Sequence, residues 1–378
     1  WDMKSNYKKI GDHIREVNFR NTELKANTLL GINIDKYYMP SVANIVGTDM
    51  SVYKIVKRNQ FACNRMHVGR DFRLPVAMSK NENDFIVSPA YDVFEITDTE
   101  KLLPEYLMMW FSRAEFDRNA WFFTDADVRG GLPWKSFCEM DIPIPHPNKQ
   151  KEIVKEYNII VNRIALNNQL IQKLEETAQA IYKQWFVDFE FPNEEGKPYK
   201  SSGGEMENEI PKGWEFGKLS DLIEIKYGKA YSHLSRGKIP LYGSGGIMSY
   251  VNKHLYDKPS VLIPRKGSLN NIVFIDKPFW CVDTMFYSIL KKEFYGCYAY
   301  YFLISNDFNS LDVGSAVPSM TTSYLNAMEI IKPSDEVLKF FDSHLKKLLS
   351  QIEFRTLQNI ELDEFKNVLL SKIATIEN

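Results

Sequence analysis

This chain is written twice, and no other feature of it limits the possible folds so much. A mixed segment of roughly 145 residues runs into a long helical pattern, and the whole arrangement then comes again. The first pass starts at Tyr7-Lys8-Lys9-Ile10-Gly11-Asp12-His13-Ile14 and the second at Phe216-Gly217-Lys218-Leu219-Ser220-Asp221-Leu222-Ile223. Both read aromatic-x-x-apolar-small-Asp-x-Ile. Each pass closes with a small-small-apolar-Pro turn, Gly130-Gly131-Leu132-Pro133 and Ser315-Ala316-Val317-Pro318. An apolar strand bearing proline follows, at 141–145 and 329–333, and then the helix. A duplication of this kind shapes the fold as a whole. It predicts two divergent modules and two rods, which suggests one job done at two places.

The helical patterns are heptads. Steps of four and three from Ile153 pass through Tyr157, Ile160, Ile164, Asn167, Ile171, Leu174, Ala178, Ile181 and Trp185. Only Asn167 breaks the apolar seam, and a seam held for more than four heptads predicts a coiled coil. The second helix gives Leu338, Phe341, Leu345, Leu348, Ile352, Arg355, Asn359, Leu362, Lys366, Leu369, Ile373 and Ile376. Its polar interruptions also fall in the middle or just past it. Matching lengths and mid-seam polar residues favour an antiparallel pair, in which the two middles meet and a buried Asn fixes register. The alternative is that the helices belong to separate domains and never touch. A helix from 149 to 185 would be roughly 55 Å long, a rod able to set a distance. Phe191-Pro192 stops the first helix, and the polar run 200–205 predicts a flexible linker.

Composition narrows the class. At 378 residues, with 44% hydrophobic and 25% charged residues, the chain suits two soluble domains. No apolar run approaches the length of a membrane span, and no secretory leader is expected, because the first residues lack an apolar core segment. Cys63, Cys138, Cys281 and Cys297 are scattered without a C-x-x-C pair, which predicts reduced, mostly buried thiols of a cytoplasmic protein. The six histidines show no metal spacing, so no metal is expected. Net charge of −2 does not mark a simple basic DNA-binding domain. One basic cleft can still hide in such an average, and Arg58, Arg65, Arg70, Arg73, Arg113, Arg118 and Arg129 crowd the first segment.

Inside each module, short apolar runs alternate with turns. Ser260-Val261-Leu262-Ile263 and Ile272-Val273-Phe274-Ile275 predict strands around the loop 264–271. In the first module Phe61-Ala62-Cys63 leads into Asn64-Arg65-Met66-His67-Val68-Gly69-Arg70, with a return through 74–78. The loop Pro240-Leu241-Tyr242-Gly243-Ser244-Gly245-Gly246-Ile247 lacks both G-x-G-x-x-G and a G-K-[ST] ending. It therefore predicts a tight turn presenting Tyr242 and Ser244 rather than a nucleotide cradle. The Asn/Asp-Pro-Pro-aromatic tetrapeptides of amino-methyltransferases are absent, as are a G-x-S-x-G elbow and a recognisable acidic nuclease set. No active site and no cofactor are expected. What the loops hold is recognition chemistry, since Arg, Asn, Ser, Thr, Tyr and His read base edges and grip phosphates. On that ground Arg65, His67, Arg70, Arg73, Arg129, Tyr242, Ser244, Arg265, Lys266, Asn270 and Asn271 are candidate DNA contacts. Competing roles stay open: a surface salt bridge for Arg65 and Arg265, a half-buried tyrosine for Tyr37, Tyr38 and Tyr242, and a structural histidine for His67. The seam candidates are Ile160, Ile164, Asn167, Ile171, Leu348, Ile352, Asn359 and Leu362.

The ordered set of motifs resembles the specificity subunits of Type I restriction-modification systems. It comprises Pro211-Lys212-Gly213-Trp214 at a domain start, the 240–247 loop, Arg265-Lys266-Gly267-Ser268, Asp283-Thr284-Met285-Phe286, and Tyr182-Lys183-Gln184-Trp185-Phe186-Val187-Asp188-Phe189 at a helix end. The resemblance covers essentially the whole chain. It implies an α+β fold in which two similar mixed α/β target-recognition domains are separated by two long helices forming an antiparallel coiled coil. The boundaries are then 1–147 for the first domain, 148–190 for the first helix, 191–210 for a linker, 211–334 for the second domain and 335–378 for the second helix. It further implies a non-catalytic subunit that recognises double-stranded DNA without a cofactor. Its implied partners are methyltransferase subunits, which carry the S-adenosylmethionine site, and a restriction/translocase subunit; no membrane is involved. The first domain departs from the pattern: it lacks the Pro-x-Gly-Trp start and the Tyr-Gly-Ser-Gly-Gly loop. An enzyme with an unrecognised site, or a coiled-coil scaffold that binds no nucleic acid, are the other classes these residues allow.

Overall fold

A computed structural model describes residues 7–42, 47–66, 68–124, 130–308 and 320–375. The chain divides into two compact units. Unit 1 is residues 1–167 with 358–378, and unit 2 is residues 168–357. Both long helices, Pro147–Phe186 and Asp335–Lys372, contribute one half to each unit.

Unit 1 is built on strands β1 (Tyr7–Lys9), β2 (Ile14–Val17), β3 (Phe61–Cys63), β4 (Val76–Met78), β5 (Asp92–Ile96) and β6 (Asp141–Pro143). Its main sheet is antiparallel with order β2-β5-β3-β4, and β1 pairs with β6. Unit 2 repeats the plan with β7 (Glu215–Lys218), β8 (Ile223–Tyr227), β9 (Arg236–Gly243), β10 (Gly246–Val251), β11 (Ser260–Pro264), β12 (Val273–Ile275), β13 (Trp280–Cys281), β14 (Met285–Leu290) and β15 (Glu329–Lys332). The antiparallel order β8-β14-β11-β12 is the same arrangement, and β7 pairs with β15.

The duplication extends to single hydrogen bonds. Ile10 N donates to Met140 O at 2.9 Å, as Leu219 N does to Met328 O at 2.9 Å. The buried Tyr106 hydroxyl donates to Pro143 O at 3.0 Å, and the Tyr298 hydroxyl to Ile331 O at 2.5 Å. Each satisfies a carbonyl on the strand that precedes a long helix, so a phenol does for both modules what a buried orphan acceptor requires. The sheets bury β-branched and aromatic side chains on one face against the helices Pro104–Phe111 and Gly296–Ile304. Unit 2 adds a smaller sheet of order β10-β9-β13, with its own cluster around Leu241, Leu262, Phe279 and Met285.

The long helices start where their chemistry directs. Pro147 occupies the first turn, where a missing N–H costs nothing, and His146 O accepts from Lys149 N at 2.8 Å. Buried Gln150 locks that start to unit 1, accepting from Leu103 N at 2.9 Å and donating to Lys101 O at 2.7 Å and Pro145 O at 2.8 Å. The second helix opens after Ser334, with Asp335 and Glu336 in the electropositive first turn.

In unit 1 the start of the first long helix lies against the end of the second. Ile153, Leu370 and Ile373 share one core. In unit 2 its end lies against the start of the second, where Ala178, Tyr182 and Trp185 pack with Leu338, Phe341 and Leu345. The pair is antiparallel, and every seam position from Ile153 to Trp185 and from Leu338 to Ile373 is buried or half-buried. The mid-seam polar residues meet: Asn167, fully buried, donates to Gln358 Oε1 at 2.9 Å and Asn359 Oδ1 at 2.8 Å. Ile376 and the turn 315–318 lie outside the described residues.

Two expectations change. The first helix ends at Phe186 rather than at 190, and Phe189 turns back in a left-handed conformation at φ +61°. The stretch 191–210 does not run free. Phe191 stacks between Tyr199 (4.5 Å) and Trp214 (4.9 Å), Gly204 N donates to Tyr199 O at 2.9 Å, and Met206–Glu207 pairs with Ile210–Pro211. Aromatic side chains at both ends of a polar run pin it, which composition alone does not reveal. All four cysteines are free, and burial pushes the Cys281 thiol up to about 12, leaving it protonated and inert.

Candidate nucleic-acid interface

Unit 2 concentrates its recognition chemistry on a hairpin. β9 and β10 pair up to Gly243 opposite Gly246, with Ser244-Gly245 as the two-residue turn. Gly246 sits at φ +108°, backbone that glycine adopts without strain. Leu241 and Val251 point into the core. A register shift places Ile247 opposite Tyr242, while Tyr250 stands opposite Pro240. Ile247 and Tyr250 stand open on the ribbon, while Tyr242, partly buried, packs against the cluster around Leu241. Ile247, Met248 and Tyr250 are 52%, 55% and 47% exposed on an edge strand. Burial, and then the neighbouring Tyr250, raise the Tyr242 phenol above its ordinary value.

The loop between β11 and β12 meets the hairpin turn. Asn271 Nδ2 donates to Ser244 O at 2.8 Å. Gly267, at φ +84°, lies so close that a Cβ there would stand 2.8 Å from Ser244 Oγ. Asn270 ties the other end of the loop to Asp307 Oδ1 at 2.9 Å and accepts from Phe308 N at 2.9 Å. Arg265 lies over the Tyr227 ring at 5.3 Å, and Lys266 is exposed beside it. Residues 226–266 hold eight Lys or Arg against one acidic residue, in a chain of net charge −2. Among the described residues, Lys229, Arg236, Lys238, Lys253, Lys258, Arg265 and Lys266 make no salt bridge. Cations that lack acidic neighbours in the fold form a surface suited to a polyanion.

Unit 1 is also basic in the matching region, with seven Lys or Arg and one acid in 54–80, but five of these cations are engaged. Arg58 pairs with Glu82, Arg70 with Asp71 at 2.7 Å and Arg73 with Asp35 at 2.9 Å. Arg65 Nε meets Asp92 Oδ2 at 2.6 Å, its guanidinium also donates to Leu132 O, and its plane lies 5.5 Å from the Trp134 ring. Lys54 donates to Tyr91 O at 2.7 Å.

Arg65 and Arg265 occupy equivalent backbone positions. Leu132 N donates to Arg65 O at 2.9 Å, and Met320 N to Arg265 O at 2.8 Å. Cys63 pairs with Asp92, and Ile263 with Phe286, so the acid that captures Arg65 is replaced by a buried phenylalanine in unit 2. The two positions are equivalent in the chain trace and differ in their side-chain surroundings. Arg65 is a largely buried ion-pair residue, its side chain 19% exposed, and Arg265 is not.

The structure thus brings Tyr242, Ser244, Arg265, Lys266 and Asn271 together. It gives Asn270 and Asn271 a loop-holding role and leaves Arg70 and Arg73 exposed but paired. Tyr38 is held inside by a hydrogen bond to Ala77 O at 3.0 Å, and Tyr37 is exposed. His67 and Arg129 lie outside the described residues. Lys229, Arg236, Lys238, Lys253, Ile247 and Tyr250 were not singled out in the sequence; the local charge density of 226–266 was the signal that could have found them.

Residues 211–364 match the model of the Type I restriction modification DNA specificity domain. The HindI specificity subunit of Haemophilus influenzae is 20% identical, over 91% of this chain and 92% of that protein. The second module with the start of its helix thus matches a Type I DNA specificity domain, and the chain is similar along most of its length to a specificity subunit. The MjaIX specificity subunit of Methanocaldococcus jannaschii is 24% identical over 66% of this chain; the match spans 64% of that relative's length. The crystal structure of the S subunit of a Type I system from M. genitalium shares the fold, with a TM-score of 0.62 over 98% of this chain and 97% of that one at 14% identity. In this chain the matched domain begins at Pro211, contains the basic hairpin, and runs into the second long helix. No helix among the described residues is long and apolar enough to cross a membrane.

Proposed function

We propose that this chain is the DNA-reading, non-catalytic subunit of a Type I restriction-modification complex, and that each mixed module reads one half of a bipartite site. The observation that carries the reading is the unpaired cationic ribbon and loop of unit 2, which lie within the segment matched by the DNA specificity domain. Neutralising phosphates releases counterions and supplies affinity, and side chains on the ribbon face supply choice between bases. Tyr242, Arg265 and Lys266 are the proposed contacts, joined by Lys229, Arg236, Lys238 and Lys253. In unit 1, Arg70 and Arg73 are the proposed contacts, because their exposed pairs with Asp71 and Asp35 exchange cheaply for phosphate. Arg65 positions its loop instead.

The domain boundaries at 1–147 and 211–334, with a helix after each, fit a reader-spacer-reader plan. The helices would set the distance between half-sites and dock methyltransferase subunits, which supply S-adenosylmethionine chemistry; a translocase-nuclease subunit completes the complex. Apolar side chains left exposed along the helices, Ile159, Phe365 and Val368 in unit 1 and Phe354 and Leu357 in unit 2, suit such docking. The cytoplasm, where chromosomal DNA is open to both activities, is the proposed location.

Full-length chain with and without its methyltransferase partner, titrated against duplex DNA, tests this. Sequence-selective binding without turnover by the purified chain is the expected result. Cleavage or methylation by the chain alone would make it an enzyme, and absence of binding even with the partner would make it a scaffold.

A further inference from the structure

We propose that the β9–β10 ribbon of unit 2 enters the major groove of duplex DNA and that Ile247 packs there on the C5-methyl group of a thymine. The inference rests on the DNA-reading function above and goes further, naming the element, the groove and the chemical group recognised. It begins with an anomaly of exposure. β10 is the edge strand of a small sheet, where soluble proteins avoid apolar side chains, yet Ile247, Met248 and Tyr250 all stand open on it.

What surrounds them decides the occupant. A protein partner would meet an apolar patch whose core is poor in charge. Here the same stretch supplies Arg236 and Lys238 on the facing strand, Lys253 just past the ribbon, and Arg265 and Lys266 beside its turn. An apolar ridge between cationic flanks is complementary to a groove with anionic rims. The major groove admits a two-stranded ribbon, and the apolar feature that its base pairs display is the thymine methyl. Tyr250, exposed on the same strand as Ile247, puts a hydroxyl donor near the apolar contact.

The ribbon is also held ready. Asn271 clamps Ser244 O, Gly267 lets the loop backbone approach Ser244, and Leu241 and Val251 anchor the strands in the core. A probe fixed in this way loses little entropy on binding, so a single methyl contact can register as specificity.

The test uses full-length chain and duplexes selected by it from a random library. Each thymine of the second half-site is replaced in turn by uracil, which removes only the methyl. Binding by the unaltered chain should fall about fourfold at one position, the effect of burying one methyl group. Ile247→Ala should bind thymine and uracil duplexes alike, while Ile247→Val should keep part of the preference. A thermal melt establishes that both variants remain folded. Insensitivity to uracil at every position, or sensitivity that Ile247→Ala leaves intact, would overturn the proposal while the DNA-reading function stands. A rise in fluorescence of 2-aminopurine in that half-site would point to insertion between base pairs and also overturn it. Failure to select any duplex even with the methyltransferase partner present would sink the DNA-reading function and this inference together.

Discussion

Arg65 and Arg265 show how one backbone position acquires two roles. Asp92 lies opposite Cys63 and captures Arg65; Phe286 lies opposite Ile263 and leaves Arg265 against the Tyr227 ring. Arg65→Ala strands a carboxylate whose side chain is 18% exposed, so it should cost roughly 1–3 kcal/mol in urea unfolding. Arg265→Ala should change stability by less than about 0.5 kcal/mol. It should instead weaken DNA binding and lower the salt slope of a titration by about one if it holds phosphate. The opposite pattern, Arg265 stabilising and Arg65 binding, would refute the assignment. Gly267 belongs to this scale as well. Gly267→Ala puts a methyl group into left-handed backbone against Ser244 Oγ and should cost about 1–2 kcal/mol. A melt unchanged from the parent would contradict the close approach described for that loop.

At the scale of elements, what was legible followed from periodicity. Every seam residue from Ile153 to Trp185 was readable because a 3.5-residue repeat fixes which side of a helix meets its partner. Strands at 61–63 and 260–263 were readable from apolar runs bounded by turns. The recognition residues were less legible, for two physical reasons. Pairing is a tertiary fact: nothing local to Arg65 announces an acid 27 residues away. Net charge is an average: a value of −2 concealed eight cations against one acid in 226–266. The linker at 200–205 was misjudged because the Phe191, Tyr199 and Trp214 rings that hold it flank the polar run rather than interrupt it. The seam carries its own prediction. Ile164 is half-buried on it, so Ile164→Asp places an unpaired charge there and should destabilise unit 1 by roughly 2–4 kcal/mol, read from a thermal or urea melt. A melt within error of the parent would show that the seam does not hold the helices together.

At the scale of the molecule, the central claim is that two different readers act through one spacer. If both half-sites are read in major grooves on one face of the duplex, their centres lie about one turn apart, roughly 10 base pairs. With half-sites of about 3–4 base pairs, the unread spacer is then about 6–7 base pairs. Inserting four residues into each long helix adds about 6 Å, close to two base pairs of rise, and should lengthen the spacer while the half-sites stay the same. Exchanging residues 211–334 for another recognition domain should change one half-site and leave the spacing alone. The most direct measurement is the methylome of cells expressing this chain with its methyltransferase partner. The account predicts a split, non-palindromic motif with a fixed unread gap; a single continuous motif, or a palindromic one, would contradict it.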